Sequence, residues 1–199
     1  MITIVALGDS TTAGTPGFES PIEAPPDGRG DERSQYAYWL MQAQPNWRVL
    51  NRGVNGERSD HIAARFDRDV LSVCPDAVII IAGVNDIYQG RTVASVTTQL
   101  GSMYDRARLA KIPVVAGSIV PYNTASADQN AAMREINRWI ADEASKRPDV
   151  TFADTRRAVA ALGDLDRLAT SPDGLHPDWH GYRQMAEAIS PILMHVLRQ

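Results

Sequence analysis

A single cysteine, Cys74, among 199 residues excludes an intramolecular disulfide. The chain therefore carries no signature of an oxidising compartment, and the thiol reads as a buried structural group. Long apolar runs are also missing, since no stretch approaches the roughly 18 uninterrupted apolar residues of a membrane span, and no membrane insertion is expected. Charge of one sign is scarce: 20 Lys and Arg stand against 24 Asp and Glu, a formal net charge of −4. Without a basic footprint, nucleic acid and anionic lipid are not expected partners. Met1 to Leu7 contain no cationic n-region and no small-residue cleavage site, which leads to the expectation of a cytoplasmic protein. The Gly-x-Ser-x-Gly turn of ordinary α/β-hydrolases is absent around every serine, so that fold is disfavoured.

What remains is the composition of a globular protein, 44% hydrophobic and 22% charged, at a length suited to one domain spanning residues 1–199. Ile2-Thr3-Ile4-Val5-Ala6-Leu7 and Ala77-Val78-Ile79-Ile80-Ile81-Ala82 are nearly continuous apolar runs, as expected of strands buried on both faces. Weaker candidates are Arg48–Leu50, Val114–Ala116 and Val150–Ala153. Helical periods fill the intervals, at about Ser34–Ala43, Ser59–Val73, Thr92–Ala110, Ala127–Lys146 and Trp179–Leu197, with Ser59 and Thr92 as N-caps. Strand alternating with helix predicts a parallel sheet covered on both faces and joined by right-handed crossovers. One segment stands apart. Thr15 to Arg33 is rich in Pro and Gly and too long for a simple connection, which marks a functional or mobile loop.

In open parallel sheets ligands bind beyond the carboxyl ends of the strands, so motifs at those positions carry most weight. Gly8-Asp9-Ser10 places a hydroxyl just past the first strand, where glycine permits a tight turn. Asn51-Arg52-Gly53 and Gly83-Val84-Asn85-Asp86 follow the second and third. Near the end of the chain, Asp173-Gly174-Leu175-His176-Pro177 sets an acid three residues before a histidine. At that spacing the carboxylate can reach one ring nitrogen and leave the other facing a nucleophile. Taken singly, Ser10 also fits an ordinary polar turn, and His176 a loop histidine beside a turn-capping aspartate.

Together these four blocks resemble the SGNH or GDSL hydrolase family: Gly-Asp-Ser at 8–10, Asn-x-Gly-x-x-Gly at 51–56, Gly-x-Asn-Asp at 83–86 and Asp-x-x-His-Pro at 173–177. The resemblance implies a three-layer α/β/α sandwich with a five-stranded parallel sheet and flavodoxin-like topology. It implies a serine esterase or acylhydrolase acting on a small-molecule carboxylic ester through an acyl-enzyme. Ser10 would be the nucleophile, His176 its base and Asp173 the group that orients the imidazole. The Ser10 and Gly53 backbone N–H groups and the Asn85 amide would bind the oxyanion. No cofactor or metal is implied. A zinc site at His176 and His180 with Asp173 and Asp178 is disfavoured, because Pro177 breaks the helical register.

Within the family the blocks fit simple esters, acetylated sugars, lysophospholipids and thioesters. The absence of a lid or apolar surface helix favours short-chain or acetyl esters over lipid aggregates. A flavodoxin-like cofactor-binding protein is the rival from another class, since the Ser10–Thr15 turn could cradle a phosphate, but it leaves the Asn85 and His176 blocks unexplained. Asp9 and Asp86 read as loop-fixing residues, Trp39, Trp47 and Trp139 as core, Trp179 as packing at a helix start, and Thr15–Arg33 as part of the substrate rim.

Overall fold

The structure, a computed structural model, describes residues 1–198. Five strands, β1 (Ile2–Gly8), β2 (Trp47–Gly53), β3 (Ala77–Ile81), β4 (Val114–Gly117) and β5 (Val150–Ala153), form one sheet in the order β2-β1-β3-β4-β5. Every neighbouring pair is parallel. This is the flavodoxin-like order, in which the chain reverses direction across the sheet between β1 and β3. Register places Gly8 opposite Gly53 on one side and Ile81 on the other. The loops that leave these three strands therefore start side by side.

Side chains along a strand alternate between faces, and the two cores divide accordingly. Val5, Leu7, Val78 and Ile80 join one apolar cluster, which is completed by Ile62, Val96, Leu100, Met103, Ile136 and Ile140. Those residues come from helices α3 (Ser59–Ala64), α5 (Val93–Leu109) and α6 (Ala127–Lys146). Ile4, Ala6, Ile79 and Ile81 face the other cluster, built on Tyr36, Leu40, Met185, Ile189 and Leu193 of α2 (Tyr36–Ala43) and α8 (Trp179–Val196). The three-layer sandwich expected from the sequence is the observed fold.

Local departures have local causes. The expected helix over Ser59–Val73 ends at Ala64 and continues as a π-turn over Asp67–Leu71. Ser59 is not the N-cap; Arg58 is, and the Ser59 N–H and hydroxyl instead donate to Asp86 at 2.8 Å each. Thr92 does cap α5, accepting from the Ser95 N–H. Cys74 is exposed, not buried, in a left-handed backbone conformation at φ 50°. Short helices α1 (Ser10–Ala13), α4 (Val84–Tyr88) and α7 (Thr155–Val159) have too few residues to show a period. An antiparallel pairing of Ala160–Ala161 with Asp164–Leu168 is mostly solvent-exposed and lacks the apolar alternation of a strand. Among the described residues no helix is long and apolar enough to cross a membrane.

Candidate active site

Ser10 opens α1 directly beyond β1. Asp9 caps this one-turn helix by accepting the Thr11 N–H at 3.0 Å, and the turn presents the Ser10 hydroxyl toward the loop before α8. There His176 Nε2 lies 2.9 Å from Ser10 Oγ, while Nδ1 lies 2.7 Å from Asp173 Oδ2. The other Asp173 oxygen accepts the backbone N–H groups of Leu175 and His176 at 2.9 and 2.8 Å. Partial burial by itself raises the Asp173 pKa, but the hydrogen bonds from the His176 ring and these two N–H groups prevail and hold the carboxyl below its ordinary range. Asp173 thus remains an anion, and its bond fixes the Nδ1–H tautomer that leaves Nε2 as acceptor for the serine hydroxyl. The Asn123 N–H donates to the Gly174 carbonyl at 2.7 Å, and Ser171 Oγ donates to the His176 carbonyl at 2.6 Å, so the loop is pinned from two sides.

Asn85 reaches the same cleft from α4, beyond β3. Its Nδ2 donates to the Glu57 carbonyl at 3.0 Å, which fixes the amide and leaves its second hydrogen available. Gly83, which precedes α4, has φ +125°, and a Cβ there would approach Val96 and Ile119 within 2.8 Å, so only glycine fits the turn. The Ser10 N–H, at the first position of α1, has no protein acceptor among the described residues.

Gly53 requires a correction. Its N–H is not turned to the cleft but donates to Asn51 Oδ1 at 2.9 Å, in buried surroundings. The glycine leaves room for α1 rather than for substrate, because a Cβ would lie 2.0 Å from the Ala13 nitrogen. Farther along this loop, Asn55 lines the cleft, and the N–H of the next residue, Gly56, has no acceptor among the described residues.

The cleft holds about 150 Å³ between Val84, Tyr88, Tyr122 and Leu175 on its apolar side and Asn55, Asn85 and His176 on its polar side. Tyr88 meets Tyr122 edge to face at 5.7 Å. His180 stands outside, with its side chain 59% exposed and paired to Asp178 at 3.2 Å. Trp179 stacks on Trp39 at 6.1 Å under the Arg33 guanidinium, a packing role. Trp47 is buried, whereas Trp39 and Trp139 are only half-buried against the two cores.

Sequence reasoning missed Arg65. This buried guanidinium donates to the Gly8 carbonyl at 2.8 Å, the Arg52 carbonyl at 2.8 Å, Glu57 at 2.7 Å and Asp69 at 2.7 Å. It ties the end of β1 to the Asn51–Glu57 loop. Its signal was present: Arg65 lies three residues after core Ile62, on the inward face of the helical pattern, where an unpaired charge would be prohibitive.

Asp9 is 1% exposed, and one of its oxygens, Oδ2, is buried without a partner among the described residues. Burial, opposed by the Thr11 hydrogen bond and aided by nearby Asp86, pushes its pKa from the ordinary 3.8 up to about 7. Between those values the folded chain holds a proton that the unfolded chain has released. The contribution of Asp9 to stability is therefore fully present below about 3.8 and lost as pH rises through about 7. Asn keeps the cap but cannot ionise. Asp9→Asn is expected to gain thermal stability relative to the parent between pH 4 and pH 8, reaching several degrees, since about 1 kcal/mol corresponds to about 2–4 °C at this chain length. A melting-temperature difference that stays constant across that range would refute the account.

The model of a family described as GDSL-like lipase/acylhydrolase matches residues 6–184. An acetylxylan esterase from Geobacillus stearothermophilus is 25% identical over 167 residues, covering 77% of this chain and 76% of that protein. Among solved structures, a GDSL-like lipase from Bacteroides thetaiotaomicron superposes with a TM-score of 0.78 at 21% identity, covering 97% of this chain and 88% of the other. The structure of an acetylxylan esterase from G. stearothermophilus gives a TM-score of 0.75 at 22% identity, with coverage of 98% and 94%.

Proposed function

As this chain belongs to the GDSL-like lipase/acylhydrolase family and is a serine esterase that hydrolyses carboxylic esters, we propose that Ser10, His176 and Asp173 form its catalytic triad and that its substrates carry short acyl groups. The observation that carries this reading is the continuous hydrogen-bonded chain from Ser10 Oγ through His176 to Asp173, at 2.9 and 2.7 Å.

In the proposed reaction, His176 Nε2 takes the hydroxyl proton as Ser10 Oγ bonds to the acyl carbon, and the carbonyl π-electrons move to oxygen. Asp173 stabilises the imidazolium so formed. Collapse of the tetrahedral intermediate breaks the bond to the alkoxy oxygen, which receives the proton from His176 and leaves as alcohol. Water then repeats the sequence on the acyl-enzyme, releasing the acid and restoring Ser10. The negative oxygen of each intermediate is assigned to the Ser10 N–H and the free Asn85 amide hydrogen. The third donor is assigned to the Gly56 N–H in place of the engaged Gly53.

The cleft supports the short acyl group. About 150 Å³ is roughly five waters' worth of liquid volume at ~30 Å³ each, enough for an acetyl-to-butyryl tail and too little for a fatty chain. A chain that could be buried would gain about 0.8 kcal/mol per methylene. On p-nitrophenyl esters kcat/KM is instead expected to peak at two to four carbons and fall at least about tenfold by eight. A steady rise through long chains would favour a lysophospholipase or thioesterase.

A further inference from the structure

The acyl cleft has a neighbour of opposite character. A second cavity of about 330 Å³ is lined by Thr15, Pro16, Phe18, Glu19, Glu23, Arg29 and Asn55. Asn55 also lines the acyl cleft, so the two share a wall. Thr15 is close to the reacting centre as well, because its N–H donates to the Ser10 carbonyl at 3.1 Å.

The chain between Ser10 and α2 builds this cavity. Phe18 pairs with Gly30 and Glu19 with Arg29 in a short antiparallel ladder. The loop is then fastened to the Asn51–Gly56 turn: Ser20 Oγ donates to the Gly53 carbonyl at 2.6 Å, and Glu23 accepts the Asn55 N–H at 2.8 Å. The excursion of Thr15–Arg33 is thus a folded wall beside the site.

Its chemistry selects a class of alcohol. Glu23 is occupied by the Asn55 and Ser20 N–H groups, and Arg29 pairs with Glu19 at 2.6 Å. With its one guanidinium already paired, the cavity offers no free cation for a phosphate or carboxylate. Charged walls are equally unsuited to an alkyl chain, whose entry would strip them of water without return. A ring bearing hydroxyls meets both demands: its C–H surface can lie against Pro16 and Phe18 while its hydroxyls exchange hydrogen bonds with Glu19, Arg29 and Asn55. The volume, equivalent to roughly eleven waters at ~30 Å³ each, admits a pyranose-sized group.

We propose that this cavity is the alcohol-side binding site and that it takes a neutral, hydroxyl-rich leaving group of sugar size, a reading that rests on the esterase assignment above. Small acyl group and polyhydroxyl alcohol then occupy adjoining cavities, with the scissile bond between them.

Replacing the whole loop would test this poorly, because Ser20 and Glu23 also hold the turn that carries Asn55 and Gly56. Arg29 and Glu19 have exposed side chains and touch neither the triad nor the oxyanion donors. In the double variant Arg29→Ala with Glu19→Ala, KM for an acetylated xylo-oligosaccharide is expected to rise five- to tenfold. On p-nitrophenyl acetate, whose leaving group has no hydroxyls to be read, kcat/KM should stay within twofold of the parent. Parallel change on both esters, or no change on either, overturns the assignment. Binding without turnover is read separately by saturation-transfer NMR of the unacetylated oligosaccharide on Ser10→Ala, where signal should be present and should weaken severalfold when Arg29→Ala and Glu19→Ala are added. Absence of that signal in Ser10→Ala itself also counts against the cavity. Failure of the esterase reading looks different: the parent would neither hydrolyse p-nitrophenyl acetate nor be labelled by a fluorophosphonate.

Discussion

Ser10→Ala is expected to lower kcat on p-nitrophenyl acetate by a thousandfold or more while leaving the fold intact. Ser10 is only 4% exposed, yet among the described residues the one hydrogen-bond partner of its hydroxyl is His176, and alanine is a good helix former for the first position of α1. Stability should therefore move little. Turnover should collapse because the covalent route disappears, and whatever survives comes from oxyanion donors and substrate binding alone. Fluorophosphonate labelling should vanish with it. His176→Ala should cost a similar factor, and the double variant scarcely more, since the two groups act in one proton transfer and their losses do not add. A correctly folded Ser10→Ala protein with near-parental kcat would remove Ser10 from the mechanism. Retention of activity in His176→Ala with loss in His180→Ala would move the base to His180.

The fold was legible because its strongest signals are periodic. β1 and β3 are apolar at nearly every position, as burial on both faces demands, and α6 falls on its expected bounds because a twenty-residue amphipathic period and a Ser126 capping box coincide. Elements of four or five residues, such as α1 and α4, left no period to read, although they carry Ser10 and Asn85. Among site residues, Ser10, Asp173, His176 and Asn85 converge as the motif blocks implied. Gly53 does not, for a reason spacing cannot express. A glycine can be required by what packs behind it, and here that is Ala13 of α1. Likewise the polar turn at Ser59 looked like a cap, but tertiary contact with Asp86 claimed its hydroxyl. The Thr15–Arg33 excursion could be placed near the site by chain continuity alone; its two anchors, Ser20 on Gly53 and Glu23 on Asn55, depend on a turn distant in sequence.

Asn85→Ala carries the second large effect and separates transition-state binding from substrate binding. In the resting enzyme one amide hydrogen of Asn85 is spent on the Glu57 carbonyl. That bond orients the group before substrate arrives, so no reorganisation is needed when charge develops on the acyl oxygen. A donor fixed in this way interacts weakly with a neutral carbonyl and strongly with an oxyanion, which lowers the barrier without deepening the ground state. Its removal is expected to reduce kcat by about a hundred- to a thousandfold, the usual effect of deleting one such donor, with KM changing less than about threefold. Asn85→Asp is the sharper comparison: the side chain keeps its shape but loses both hydrogens, faces the Glu57 carbonyl and adds a negative charge where the oxyanion must form. It should therefore be slower than Asn85→Ala, whereas a group needed only to fill space would be restored by aspartate. If KM rises and kcat holds in Asn85→Ala, the amide binds the ground-state ester, and stabilisation of the oxyanion falls to the backbone N–H groups of Ser10 and Gly56.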